Sequence, residues 1–379
     1  MFYVSKITPL FFLLSFVDLL FAVFSRFLKY DHIDLALIAV FGFILHTIIG
    51  AAYQIIPNSQ QSTLRYPSVS YFVFLFSTLS SIGLYIKQFD FASALTVVSV
   101  FIFTVHVFSV IKNIRPVTVK FLAVSILYAN IASMFFLLAE ISGDILYQTA
   151  IHTMTVGSML NAVLGVQLAW IPMLLMHTLN VKFANTFFYI HQISTVFLTG
   201  AFYIFDYRII MLAGIVEAIT LTVFLFIVGK ALKNHTLGKI PYVIKFFLGG
   251  LAFLVFGVLM GIHLSASKML QFIEVHLDSM ILGFGGLTIF GAMLHLMPRI
   301  VWNMVYIRKA QEGKQIPNVF QVINEKEANV SFYLLFAGAF LSVVFEFFMK
   351  RELSSLVYIT SMLYFFYILF WKMFRFYRI

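Results

Sequence analysis

Long apolar runs alternate with short polar connections along the chain, and that pattern predicts twelve membrane-crossing helices. The runs fall at about 7–28, 31–56, 68–87, 89–111, 117–139, 146–172, 184–204, 208–232, 242–264, 271–297, 329–349 and 354–374. Each is close to the roughly 20 residues that cross about 30 Å of hydrocarbon at about 1.5 Å per residue. They are apolar on every face and lack a period of two, so they read as helices rather than as strands of a closed barrel. The first run, Ile7 to Leu28, is long enough to remain as a span rather than be removed as a signal peptide. Most connections are short. The exception, 298–328, begins Pro298-Arg299, ends Asn324-Glu325-Lys326-Glu327, and is expected to be a cytoplasmic loop or surface helix.

An internal repeat organises these spans. Gly42, Gly50 and Pro57 in the second, Gly157, Gly165 and Pro172 in the sixth, and Gly283, Gly291 and Pro298 in the tenth all read G-x7-G-x6-P. With 20 Gly and 8 Pro in 379 residues, about 0.02 matches are expected by chance. The second glycines are 115 and 126 residues apart, four spans each time. The expectation is an all-α single transmembrane domain, 1–379, of three four-helix blocks at about 1–115, 116–233 and 234–379. Glycine permits close helix approach and proline ends a span, so packing accounts for the motif itself.

Composition and charge fix the solvent and the orientation. At 62% hydrophobic and 11% charged residues, the chain cannot coat a water-soluble globule, and its main partner is the lipid bilayer. Eighteen basic residues fall on the side of the N-terminus, Arg375 and Arg378 among them, and seven on the other. The positive-inside rule then puts both termini in the cytoplasm and the chain in the inner, cytoplasmic membrane. The net charge of +10 suits an anionic lipid surface and implies no nucleic acid. Having no cysteine, the chain offers no thiolate metal site, so any metal must use histidine, carboxylate or methionine.

Eight of ten histidines lie in or at the ends of spans: His32, His46, His106, His152, His191, His263, His276 and His295. Imidazole at lipid depth needs a partner, a cavity or a metal, and it is the one strong ligand the chain offers. His32, His152 and His276 start the second, sixth and tenth spans, and His263 ends the ninth, so these four could converge near the outer face. His276 and His295 are 19 residues apart, roughly 28 Å, and cannot share a site. His276 and Asp278, two apart, face opposite sides of one helix.

The tenth span, VHLDSMILGFGGLTIFGAMLHLMPRI, resembles the tenth helix of the catalytic subunit of the haem–copper oxidase superfamily, which includes cytochrome oxidases and nitric oxide reductases. The second span is similar to that family's second helix, especially in IGAAYQIIP. The resemblance implies twelve spans, cytoplasmic termini and a b-type haem with His276 as axial iron ligand. It places Asp278 where the family has a low-spin haem ligand, and leaves His32 or His46 as cofactor ligands on the second span. His152, with His263 near it, would be nearest any second metal. The family's paired histidines on the seventh helix are replaced by His191-Gln192, so the resemblance does not extend to copper. The NnrS-type haem-containing membrane proteins match the chain's size better.

Asp18 and Glu217, each in the middle of a span, and Asp278 are candidates for proton transfer or for ion pairs within the bundle. Glu346 and Lys350 are expected to snorkel to the interface. The preferred reading is a haem-binding redox protein acting on a diatomic gas or a quinol with an external electron donor. The rivals are a membrane carrier and a non-catalytic scaffold. No catalytic residue is singled out.

Overall fold

Among the described residues, eleven helices are long and apolar enough to cross a membrane: Thr8–Leu28, His32–Ser59, Phe89–Phe108, Val117–Ser142, Ile145–Leu174, Val181–Ile204, Tyr207–Lys233, Tyr242–Ser267, Leu270–Ile307, Glu325–Phe347 and Arg351–Trp371. The remaining apolar run forms a shorter helix, Val69–Tyr85, of 17 residues. The twelve are called the first to the twelfth in chain order. The computed structural model describes residues 3–142, 144–316, 318–319 and 322–372, so Arg375 and Arg378 of the cytoplasmic charge set lie outside the described residues.

Three of these helices form the core. In the most apolar stretches of the second, sixth and tenth, 94%, 72% and 89% of residues are buried, against 33–56% in the other eight. The second touches both the sixth and the tenth. Around them the fourth helix packs on the fifth, the eighth on the ninth, and the twelfth returns to the first, closing a ring.

The repeated glycines show how each block is joined. A Cβ on Gly50 would lie 2.7 Å from Phe11 Cβ, one on Gly291 2.6 Å from Phe246 Cβ, and one on Gly165 would overlap Phe121. One step along, a Cβ on Gly42 would meet Asp18 Cβ at 2.9 Å, on Gly157 Tyr128 Cβ at 2.9 Å, and on Gly283 Phe253 Cβ at 2.6 Å. Phe11 and Asp18, Phe121 and Tyr128, and Phe246 and Phe253 are each seven apart on the first helix of a block. The same ridge therefore meets the same groove three times, with room only for hydrogen at the contact.

Each core helix also widens at the same place. π-Helical segments span Ile38–Ile44, Thr153–Leu160 and Ser279–Gly286, each containing the first glycine of its motif. Widening misaligns backbone carbonyls, and in each block a side chain donates to one of them. Thr47 reaches the Phe43 carbonyl at 2.7 Å, Asn161 the Gly157 carbonyl at 2.8 Å, and Tyr358 the Leu282 carbonyl at 3.0 Å.

The prolines do not end their helices, contrary to expectation. Pro57 and Pro172 are each followed by two more helical residues, and past Pro298 the helix continues to Gln311. The stretch 298–328 is thus helical in its first part. A proline removes the donor to the carbonyl four residues back; beside that position, Arg299 Nη1 returns a hydrogen bond to the His295 carbonyl at 3.0 Å.

Candidate functional site

The histidines separate into distinct environments. His276, near the start of the tenth helix, has its Nδ1 2.8 Å from the Gly257 carbonyl on the ninth. A carbonyl only accepts, so Nδ1 carries the hydrogen and Nε2 keeps its lone pair. Gly261 makes the approach possible: a Cβ there would lie 3.0 Å from His276 Cε1. His152 repeats the arrangement, Nδ1 lying 2.8 Å from the Gln148 carbonyl with the ring stacked 3.5 Å from Phe202. The sixth and tenth helices thus each hold one histidine near their starts with Nδ1 turned to a backbone carbonyl.

His32 and His263 do not complete a cage. Among the described residues, no three His, Asp or Glu side chains converge as a metal-binding group. His263 is exposed and His32 half-buried beside the Asp31 cap of the second helix. Their shared leaflet was legible in the sequence; their facing was not.

His46 has different company. Its Nδ1 lies 2.7 Å from Asp18 Oδ2, and the Tyr85 hydroxyl donates to Asp18 Oδ1 at 2.5 Å. Asp18 and His46 are 0% and 1% exposed. A second buried pair joins His191 and Glu217, whose Nδ1 and Oε1 are 3.2 Å apart but poorly aligned for a hydrogen bond. The Ser194 hydroxyl donates to the other Glu217 oxygen. His106 is held by the Arg65 carbonyl at 2.6 Å and the Tyr53 hydroxyl at 3.3 Å. His295 packs on Trp170 at 4.4 Å and meets Arg299 Nη1 at 2.5 Å.

Asp278 faces away from His276, as their two-residue spacing requires, and enters an ion network. Arg26 Nη2 meets Asp278 Oδ1 at 2.5 Å and Glu274 Oε2 at 3.1 Å, while Nη1 meets Glu346 Oε1 at 3.2 Å. Ser354 donates to Asp278 at 3.0 Å, and Arg351 reaches Glu274 at 3.3 Å. Glu346 therefore does not snorkel: it is 4% exposed, turned inward to Arg26, whereas Lys350 is exposed. The network borders a cavity of about 570 Å³ lined by Arg26, Tyr30, Glu274 and Arg351, among others. A second cavity, of about 270 Å³, lies beside His177. Arg26, Tyr85 and Ser354 escaped sequence reasoning. The usable signal was Glu274 and Asp278, two carboxylates four apart on one helical face, which together demand a cation.

No family model matches the chain. A protein of Aquifex aeolicus (strain VF5) described as an uncharacterized protein is 40% identical to it over 367 residues, which is 96% of this chain and 96% of that protein. Agreement of that extent covers every helix described above, and the chain belongs to the same family as this Aquifex aeolicus protein.

Proposed function

We propose that the chain is a haem-binding redox protein of the inner membrane, with twelve spans, both termini cytoplasmic and His276 as an axial iron ligand. One observation carries the reading. The His276 Nδ1–H is spent on the Gly257 carbonyl, which fixes the ring and leaves Nε2 as a ready donor. Metal-ligating histidines are prepared in this way, the second nitrogen anchored to a carbonyl or carboxylate. The donor chemistry fits iron: neutral imidazole, no competing thiolate, and a second imidazole, His152, held in the same way at the start of the sixth helix.

In this reading His276 holds the metal and His152 offers a further nitrogen to a gas or a second ligand. Bound haem would supply an iron that changes oxidation state and binds a diatomic molecule. The Gly257 carbonyl raises the basicity of the His276 ring and keeps it from rotating. Neither cavity described above is lined by His276, so the reading requires the packing around His152, Phe202 and Gly261 to part when haem enters. His46, committed to Asp18, is left out of the iron site. A quinol or an external donor would supply electrons.

The test is the absorption spectrum of detergent-purified protein expressed with ample haem. A Soret band that His276→Ala abolishes and His263→Ala leaves intact supports the reading; a colourless protein overturns it. The carrier reading draws on a different observation, the two buried His–carboxylate pairs. It predicts substrate flux by a protein that binds no haem.

A further inference from the structure

The threefold scaffold contains its own controls, because each block shows what its packing requires. Where the first block has Asp18 against the first glycine of the motif, the second has Tyr128 and the third Phe253. Four residues before the second glycine, where the first block has His46, the others have Asn161 and Leu287. Three residues after it, Tyr53 is matched by Leu168 and Leu294. The same contacts are thus made by neutral side chains in two blocks and by titratable ones in the first. A buried charge pair adds little stability over an apolar pair of similar volume, so packing does not explain Asp18 and His46.

We infer that Asp18, His46 and Tyr85 form a proton-exchanging site in the first block. The hydrogen bonds assign the protons. Asp18 accepts from the Tyr85 hydroxyl at one oxygen and meets His46 Nδ1 at the other; with Asp18 as the carboxylate, His46 Nδ1 carries the hydrogen between them. The exchanging position is then His46 Nε2. With Nε2 bare, the pair holds one negative charge inside the hydrocarbon; one proton added at Nε2 makes an imidazolium and brings the pair to neutrality. Nothing else changes bonding.

Polar groups flank the site in both directions. Outward, Tyr30 lines the cavity above Arg26, and its hydroxyl donates to the Tyr85 carbonyl at 2.6 Å. Lys87 covers the Tyr30 ring at 4.1 Å and is itself paired with Asp34, so it does not neutralise Asp18. Inward, Tyr53 lies on the His46 face of the helix, seven residues on, and meets His106, whose Nε2 reaches the Arg65 carbonyl. Phe11 packs on both Tyr53 and His46, and Phe103 on Tyr53; neither titrates. The site stands whether or not haem is bound at His276.

The repeat also supplies the variants. Asp18→Tyr with His46→Asn installs the pair of the second block, and Asp18→Phe with His46→Leu that of the third. Infrared difference spectra of the full-length protein in phosphatidylcholine vesicles, stepped between about pH 5 and pH 9, read the imidazole and carboxylate bands. The wild-type chain is expected to show paired histidine and aspartate changes that both double variants lose completely, with helix content and elution volume unchanged. Identical difference bands in wild type and variants would sink the inference. So would a failure of both double variants to fold, because the charges would then be structural.

Discussion

Replacing Arg26 by leucine isolates the energetics of the Arg26 ion network. Its side chain is 3% exposed and faces carboxylates whose side chains are 6% (Glu274), 0% (Asp278) and 1% (Glu346) exposed. Two guanidiniums, Arg26 and Arg351, serve three carboxylates, and Arg351 reaches Glu274 alone. Removing Arg26 therefore strands Asp278 and Glu346 with no cation. Breaking a buried pair at one partner costs about 3–5 kcal/mol. A chain of this length has a large unfolding entropy, so the loss lowers Tm by only about 1.3 °C per kcal/mol, or roughly 4–6 °C in all. Size-exclusion thermal scans in one detergent would measure it. The triple variant Arg26→Met, Asp278→Asn, Glu346→Gln removes the stranded charges while leaving Glu274 to Arg351. It should recover at least half of the lost Tm, because neutralising a whole network is far less damaging than halving it. Arg26→Leu within about 1 °C of wild type, or a triple variant no better than the single, would refute the electrostatic account.

Other consequences are as direct. Gly291→Ala forces a methyl group to within 2.6 Å of Phe246 Cβ, and should cost about 1–3 kcal/mol in the same scans. Gly229, with nothing within 4 Å, should accept alanine with a gain of up to about 1 kcal/mol. Tyr85→Phe leaves a buried Asp18 oxygen without its donor. It should destabilise by about 1–3 kcal/mol, and by less when Asp18 is already tyrosine. Gly261→Val should weaken the Soret band as His276→Ala does, since a side chain there collides with the imidazole 3.0 Å away.

Much of the architecture was written into local pattern. Apolar length alone marks the membrane helices, because crossing hydrocarbon is a requirement each segment meets by itself. The glycine and proline spacing marked the repeat for a similar reason: close approach at Gly50, Gly165 and Gly291 admits no side chain, whatever the surroundings. The opposed facing of His276 and Asp278 followed from helical rotation.

Tertiary structure decided what those residues touch. Arg26 and Asp278 are 252 positions apart, and Arg26 and Ser354 are 328 apart. They meet because the tenth and twelfth helices both bring residues to the end of the first, which no local pattern encodes. The same long-range packing turned Glu346 inward, gave His46 to Asp18, and left His263 exposed. A span's existence is settled by its own transfer free energy; a buried polar group's partner is settled by where every other helix lies.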